Sequence, residues 1–315
     1  MSGGLLLDSL RVSGFRGFSA LEIERLGRIN LIAGRNNVGK TAFLEAICLY
    51  ADGVSTGAVW EILELRDESA RPHPIGAFST GPTGPTGATG REQDLWASVR
   101  HLFYGHPSDE KGRNTSAIGI GPLSEPDRTL SIRPVSGTLG PSLRLDLGRR
   151  DSALLLLRSL ESQRGQKPWV FMPANGLLLT EITRLWDSVA LTSVEDDVLD
   201  ALRIIENDIE RVNLLTDPGR QNEMERVPKV KLRGVEEPVL LRSLGDGMNR
   251  LFGIALALAS SKSGVLLIDE IENGLHYSVQ PDVWRLLFRS AARLGVQVFA
   301  TTHSWDCISA FQSAA

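Results

Sequence analysis

Gly34-Arg35-Asn36-Asn37-Val38-Gly39-Lys40-Thr41 fill every fixed position of the pattern G-x-x-x-x-G-K-[ST]. A glycine loop that opens a helix points successive backbone N–H groups and the positive helix end at one anion. Gly34 and Gly39 allow the tight backbone path. Lys40 is spaced to reach the β- and γ-phosphates of a nucleotide, and Thr41 to bind Mg²⁺. Asn36, Asn37, Val38 and Ala42 complete the stretch expected to line the phosphates. A second constellation is Val265-Leu266-Leu267-Ile268-Asp269-Glu270, an apolar run that ends in two carboxylates. Asp269 would hold Mg²⁺, through water or together with Thr41, and Glu270 would take a proton from an attacking water. A third, Phe299-Ala300-Thr301-Thr302-His303-Ser304, is an apolar run that ends in a histidine.

These residues need elements to position them. Arg28–Ala33 reads as a short buried strand into the glycine loop, and Ala42–Ile47 as the helix leaving it. Residues 265–268 read as a strand that delivers its carboxylates at the C-terminal end, where α/β sheets place ligands. If the loop strand and the acidic strand are neighbours, the 299–303 strand ends within reach of the γ-phosphate. After Pro238 the pattern is ordered throughout. It predicts a glycine turn (Gly245-Asp246-Gly247), a helix over 248–259, a strand over 265–268, a helix over 277–292 and a strand over 296–301. Such alternation implies a parallel sheet covered by helices.

The rest of the chain is less regular. Residues 5–12 and 21–23 read as strands about a turn at Ser13–Phe18. Residues 129–134 and 143–147 alternate apolar and polar, which predicts a hairpin turning near Ser136-Gly137. Lys167–Pro173 reads as a buried strand. Ser193–Leu214 reads as helical, because Val198, Leu202, Ile205, Ile209 and Val212 recur at three- and four-residue spacing. Gly81–Gly90 carries glycine at every third position, too briefly for a triple helix, and reads as a surface loop. Residues 112–126 read as a loop as well.

Composition is that of a globular chain, 42% hydrophobic and 23% charged. No apolar run approaches the roughly 18 residues of a membrane span, and the N-terminus lacks the pattern of a secretory leader. Cys48 and Cys307 are far apart and imply no disulfide framework or zinc site. A cytoplasmic protein with no membrane partner is the expectation. The net charge of −4 neither excludes nor suggests nucleic acid. The basic stretch Arg220–Arg233 reads as a solvated strand or loop.

The order of motifs resembles the ABC-type ATPase heads, closest to the branch with RecF, SMC and OLD-family ATPases. The resemblance covers residues 5–60 and 236–310. It rests on Leu10–Phe18, on Ile29–Thr41 with its Asn-Asn pair, on the acidic strand, and on Ile271-Glu272-Asn273-Gly274-Leu275-His276 after it. The resemblance implies an α/β P-loop head: a mixed sheet with helices and an N-terminal antiparallel β lobe, interrupted by a loop-rich and helical insertion. Its domains would be 1–60 and 236–315 for the head and 61–235 for the insertion.

It further implies ATP and Mg²⁺ as ligands, with Lys40 and Thr41 on the phosphates and metal, Asp269 on the metal, Glu270 as base and His303 as switch histidine. The family closes its site by ATP-dependent homodimerisation, a signature segment facing the other subunit's γ-phosphate. Here that segment is Ser243–Arg250, with Gly245, Asp246 and Gly247 as the phosphate-facing residues. Gly245 stands where the family has serine, and Phe171–Asn175 offers no Q-loop glutamine. The expected role is an ATP-driven switch in a DNA-related process, either anti-phage defence with a partner nuclease or repair. The alternative is a nucleotide-gated scaffold with little turnover.

Overall fold

The computed structural model describes residues 4–53, 55, 57–68, 97–107, 117–137, 140–148, 151–156, 168–216 and 226–315. The first half of the chain holds β1 (Leu10–Phe15), β2 (Phe18–Ile23), β3 (Ile29–Ala33), α1 (Lys40–Asp52), α2 (Gly57–Glu64), β4 (Ile118–Gly121), β5 (Leu130–Gly137), β6 (Gly140–Leu147) and β7 (Asp151–Leu156). Then come β8 (Trp169–Met172), α3 (Leu179–Val189), α4 (Glu195–Leu202), β9 (Ile209–Thr216), β10 (Arg226–Leu232) and β11 (Val239–Leu240). The last are α5 (Asp246–Ser260), β12 (Val265–Ile268), α6 (Gln280–Leu294), β13 (Gln297–Thr302) and α7 (Trp305–Ala314). Two compact units divide these elements: Met1–Leu6, Gly27–Leu44 and Lys167–Ala315 form one, and Leu7–Leu26 with Glu45–Gln166 the other. The stretch 167–235, read from sequence as part of the insertion, groups with the first unit.

The first unit is built on a four-stranded parallel sheet in the order β3-β13-β12-β8. Every residue of β12 and β13 is buried, as strands covered on both faces must be, which explains the unbroken apolar run of β12 and the apolar centre Val298–Ala300 of β13. β3 and β12 are not direct neighbours, because β13 lies between them. The end of β13 therefore adjoins both the phosphate loop and the acidic pair. Helix α5 buries residues around its whole circumference, from Met248 to Ala259, so it runs through the core rather than over it. It packs with Trp186 of α3, Val198 of α4 and Leu266 of β12 in one apolar cluster. Helix α6 stops at Gly295, whose φ of 69° caps it in the left-handed region. An antiparallel sheet, β11-β10-β9, completes the unit. Residues 226–232 of the basic stretch form β10, and 220–225 lie outside the described residues.

Two sequence expectations fail here, each for a visible reason. The helix begun at Glu195 ends at Leu202, and Ile209–Thr216 is a strand. In the β9–β10 ladder Leu232 faces Ile209 and Lys231 faces Arg211, so Glu210 is an extra residue, a β-bulge. The bulge lets Ile209 and Val212 both face the core at a three-residue spacing that imitates a helix. The second is β4, which lies inside a stretch read as loop. A Cβ at Gly119 would sit 2.8 Å from Ser13 Oγ, and one at Gly121 2.8 Å from Thr129 Cα. Those glycines serve close strand packing rather than a turn.

The second unit is a six-stranded antiparallel sheet in the order β2-β1-β4-β5-β6-β7. The β5–β6 hairpin forms as its alternation predicts, pairing from Leu130↔Leu147 to Gly137↔Gly140. Leu10, Val12, Ile118, Ile132 and Leu145 are buried, as are Val59, Trp60 and Ile62 of α2. A buried ion cluster sits within it. Glu45 of α1 meets Arg16 Nε at 2.5 Å and Arg66 Nε at 2.6 Å, and Arg16 Nη1 lies 3.0 Å from Glu68. Burial holds the Glu45 carboxyl above its ordinary pKa, with the two arginines pulling the other way. The glycine-triplet segment 81–90 lies outside the described residues.

Candidate functional site

The C-terminal ends of β3, β13 and β12 gather the sequence-predicted residues in the first unit. Gly34 N–H donates to Thr302 O at 3.3 Å, which ties the start of the glycine loop to the end of β13. The loop turns through Asn37 (φ 64°) and Gly39 (φ 95°), a left-handed path that glycine takes freely and asparagine tolerates. Gly34, Asn36 and Val38 lie in the same loop, and Ala42 follows in the first turn of α1. Val38 is exposed and Ala42 buried. Lys40, only 8% exposed, donates from Nζ to Gly34 O and Arg35 O, both at 2.9 Å. Its ammonium is thus held over the loop that would cradle a phosphate.

Thr41 Oγ1 donates to Asp269 Oδ2 at 2.7 Å. This bond joins residues that are distant in sequence, and it brings two hard oxygen donors together at the mouth of the loop. Mg²⁺ in phosphoryl-transfer sites takes one or two protein oxygens, and phosphate and water oxygens for the rest. The pair fits that demand. Thr301 orients the carboxylate: its hydroxyl donates to Asp269 Oδ1 at 2.5 Å and accepts from Glu270 N–H at 2.9 Å.

Glu270 sits at φ 46°, an uncommon backbone for a non-glycine residue that costs of order 1 kcal/mol. Its side chain meets Asn273 and His303 rather than Thr41. Its Oε2 accepts from Asn273 Nδ2 at 2.8 Å, and its Oε1 lies 3.5 Å from His303 Nδ1. His303 also meets Glu272, whose Oε1 accepts the His303 backbone N–H at 3.0 Å and lies 3.3 Å from Nδ1. Thr41, Asp269, Glu270 and His303 are therefore linked in one chain of contacts through Thr301, while Lys40 is anchored to the loop beside Thr41.

The signature segment enters differently. A 3₁₀ turn over Leu241–Leu244 leads into Gly245 at φ 105°, and α5 begins at Asp246. A Cβ at Gly247 would lie 2.9 Å from Gly274 O, so this helix start abuts the turn after the acidic strand. Arg250, one turn further along, is 5% exposed and carries the connection. Its Nη1 donates to Pro173 O at 2.8 Å and Ala174 O at 3.2 Å, and its Nη2 to Asp269 O at 2.7 Å and Glu270 O at 2.9 Å. Burial lowers its pKa to about 10, with Asp269, Glu272 and Glu270 opposing the shift, so it stays a cation at neutral pH.

Sequence reasoning missed Arg250, Thr301, Glu272 and Asn273. Arg250 had a signal, being the one charged residue inside the apolar stretch Met248–Ala259, where an unpartnered charge could not be buried. Asn273 and Glu272 lay in the turn after the acidic pair. Thr301 had none, since a threonine in a strand is ordinary.

This geometry can be set beside known proteins. A family model described as "AAA domain, putative AbiEii toxin, Type IV TA system" matches residues 193–306, and a second, described as "AAA domain", matches residues 9–59. Together they take in the glycine loop and the acidic strand that the structure joins through Thr41 and Asp269. The matches support an ATPase of the ABC-type, RecF/SMC-like kind, to which this chain is similar. An ATP/GTP phosphatase of Helicobacter pylori is 22% identical to this head over 336 residues, spanning 96% of this chain and 86% of that one. An SMC head bound to the C-winged helix domain of ScpA shares the fold at 15% identity and a TM-score of 0.53, with 96% and 91% covered. An SMC head bound to the C-terminal domain of ScpA, derived from Pyrococcus furiosus, does so at 12% identity and 0.50, with the same coverage. No helix among the described residues of the head is long and apolar enough to cross a membrane.

Proposed function

We propose that this head hydrolyses ATP, and that the nucleotide-bound form pairs two copies face to face. The observation that carries the reading is the 2.7 Å bond from Thr41 to Asp269, with Glu270 and His303 at the same sheet edge. Lys40 would neutralise the β- and γ-phosphates, and backbone N–H groups from Gly34 to Ala42 would cradle them. Thr41 and Asp269 would hold Mg²⁺, which supplies charge neutralisation across the phosphate oxygens. Glu270 would accept the proton of the attacking water, and Asn273 keeps its carboxylate from swinging away. His303 would meet the terminal phosphate from the end of β13.

The phosphate's other side would be covered by Gly245, Asp246 and Gly247 of a second copy. Phosphate departure would release that contact, which makes the pair a switch. In the reading we favour, the switch serves a DNA-related process, with a nuclease partner in anti-phage defence or in repair. A second reading, a nucleotide-gated scaffold with little turnover, draws on Gly245 at the position of the family's serine. It also draws on Phe171–Asn175, which carries no glutamine.

Glu270→Gln should keep the nucleotide site while stalling the water step. With saturating ATP this variant is expected to elute from a sizing column as a dimer, and without ATP as a monomer. A monomer under both conditions would remove the face-to-face pairing from the account.

A further inference from the structure

We propose that Glu272 is the positioning residue for His303, holding the imidazole with its proton on Nδ1 and leaving Nε2 for the nucleotide. The inference rests on His303 facing the terminal phosphate, as proposed above. Glu272 stands three residues after Asp269, beyond the pair to which the motif assigns chemistry, yet its carboxylate is only 8% exposed. Its Oε1 fixes the backbone of His303 through the N–H at 3.0 Å and faces the ring at Nδ1 from 3.3 Å. One carboxylate oxygen thus addresses both the main chain and the side chain of the same residue, which restrains the ring as well as the strand end.

Two further facts separate this from ordinary core packing. Glu272 Oε2 is buried with no hydrogen-bond partner among the described residues, a costly state for a carboxylate. The second fact is the rival carboxylate. Glu270 Oε1 also faces Nδ1, at 3.5 Å, but its other oxygen is engaged by Asn273, and the proposed role of Glu270 needs it free to face water. Glu272 relieves Glu270 of the task of holding the ring.

The logic is that of a carboxylate that orients a histidine. It selects the tautomer and stabilises the imidazolium when the far nitrogen carries a proton. Free imidazole side chains favour the other tautomer, with the proton on Nε2. In that state Nδ1 would present a lone pair to two carboxylates, and the ring would turn away.

The test uses the ring nitrogens themselves. In ¹⁵N-histidine protein without nucleotide, long-range ¹H–¹⁵N spectra should show His303 protonated at Nδ1, the signal being identified by its loss in His303→Ala. Glu272→Ala should move His303 to the Nε2-protonated form, and Glu272→Gln, whose amide oxygen can still accept, should largely keep the original tautomer. With ATP, Glu272→Ala should lower kcat about tenfold or more at unchanged KM, as for lost orienting partners elsewhere. The amide variant should recover most of that loss. An unchanged tautomer in Glu272→Ala would overturn the proposal, as would equal kcat for wild type and Glu272→Ala in a protein that turns over. The spectra report without turnover, so a protein that hydrolyses no ATP would refute the proposed activity and still leave the Glu272–His303 relation decided. If the alanine variant fails to fold, Glu272→Leu in the same spectra decides it.

Discussion

Replacing Arg250 by methionine keeps most of the side chain's length and removes every donor. The guanidinium bonds four carbonyls, those of Pro173, Ala174, Asp269 and Glu270, at 2.7 to 3.2 Å. Four charge-assisted bonds at about 1.5 kcal/mol each are worth about 6 kcal/mol. The buried cation carries a penalty: its pKa is pulled down to about 10 even with Asp269, Glu272 and Glu270 opposing, a net cost of roughly 3 kcal/mol. The variant escapes that penalty, so its net loss is about 3 kcal/mol. For a unit of this size that lowers Tm by about 6–12 °C, readable by calorimetry or fluorescence.

The kinetic consequence is separate. Two of the four carbonyls belong to the residues proposed to hold metal and to activate water, so Arg250→Met should also lower kcat for ATP by about tenfold or more. Arg250→Lys should fall between, because one ammonium cannot span two carbonyl pairs as a planar fork does. A methionine variant that melts within 2 °C of wild type would refute the energetic reasoning. A destabilised variant with wild-type kcat would show that Arg250 holds the fold without setting the catalytic backbone.

Two more outcomes test particular contacts. Gly247→Ala adds a Cβ 2.9 Å from Gly274 O. The clash, about 1–3 kcal/mol, should outweigh the roughly 1 kcal/mol that alanine gains inside a helix. Its Tm should therefore fall, and a raised Tm would mean that the turn after the acidic strand gives way freely. In the other unit, Glu45→Gln leaves Arg16 buried with Glu68 as its one remaining counter-charge among the described residues, a change expected to cost about 3–5 kcal/mol. Urea unfolding should show it, and an unchanged midpoint would mean that the buried cluster contributes nothing net.

Much of the candidate site was legible in the sequence because its parts are local. A glycine loop, a run of four apolar residues before Asp-Glu, and a strand ending in His303 each announce themselves within a few residues. What joins them is not local. No spacing tells that β13 lies between β3 and β12, since strand order is set by how helices cover the sheet. Arg250 was written inside an apolar helix, but its four acceptors are backbone carbonyls and leave no trace in sequence. The misread of residues 193–214 has the same character. A bulge at Glu210 gave a strand the three-residue spacing of a helix, and only the partner strand β10 reveals it. Glu272 was visible as a residue but not as a partner of His303, because β13 had to be placed first.

The central claim is that Glu270 activates water beside a phosphate loop coupled to Asp269 through Thr41. The most direct test is phosphate release from the purified protein with Mg²⁺ and ATP, compared between wild type and Glu270→Gln. The account predicts a loss of about a hundredfold or more in the variant, with nucleotide binding retained. Equal rates of release from the two proteins would contradict it.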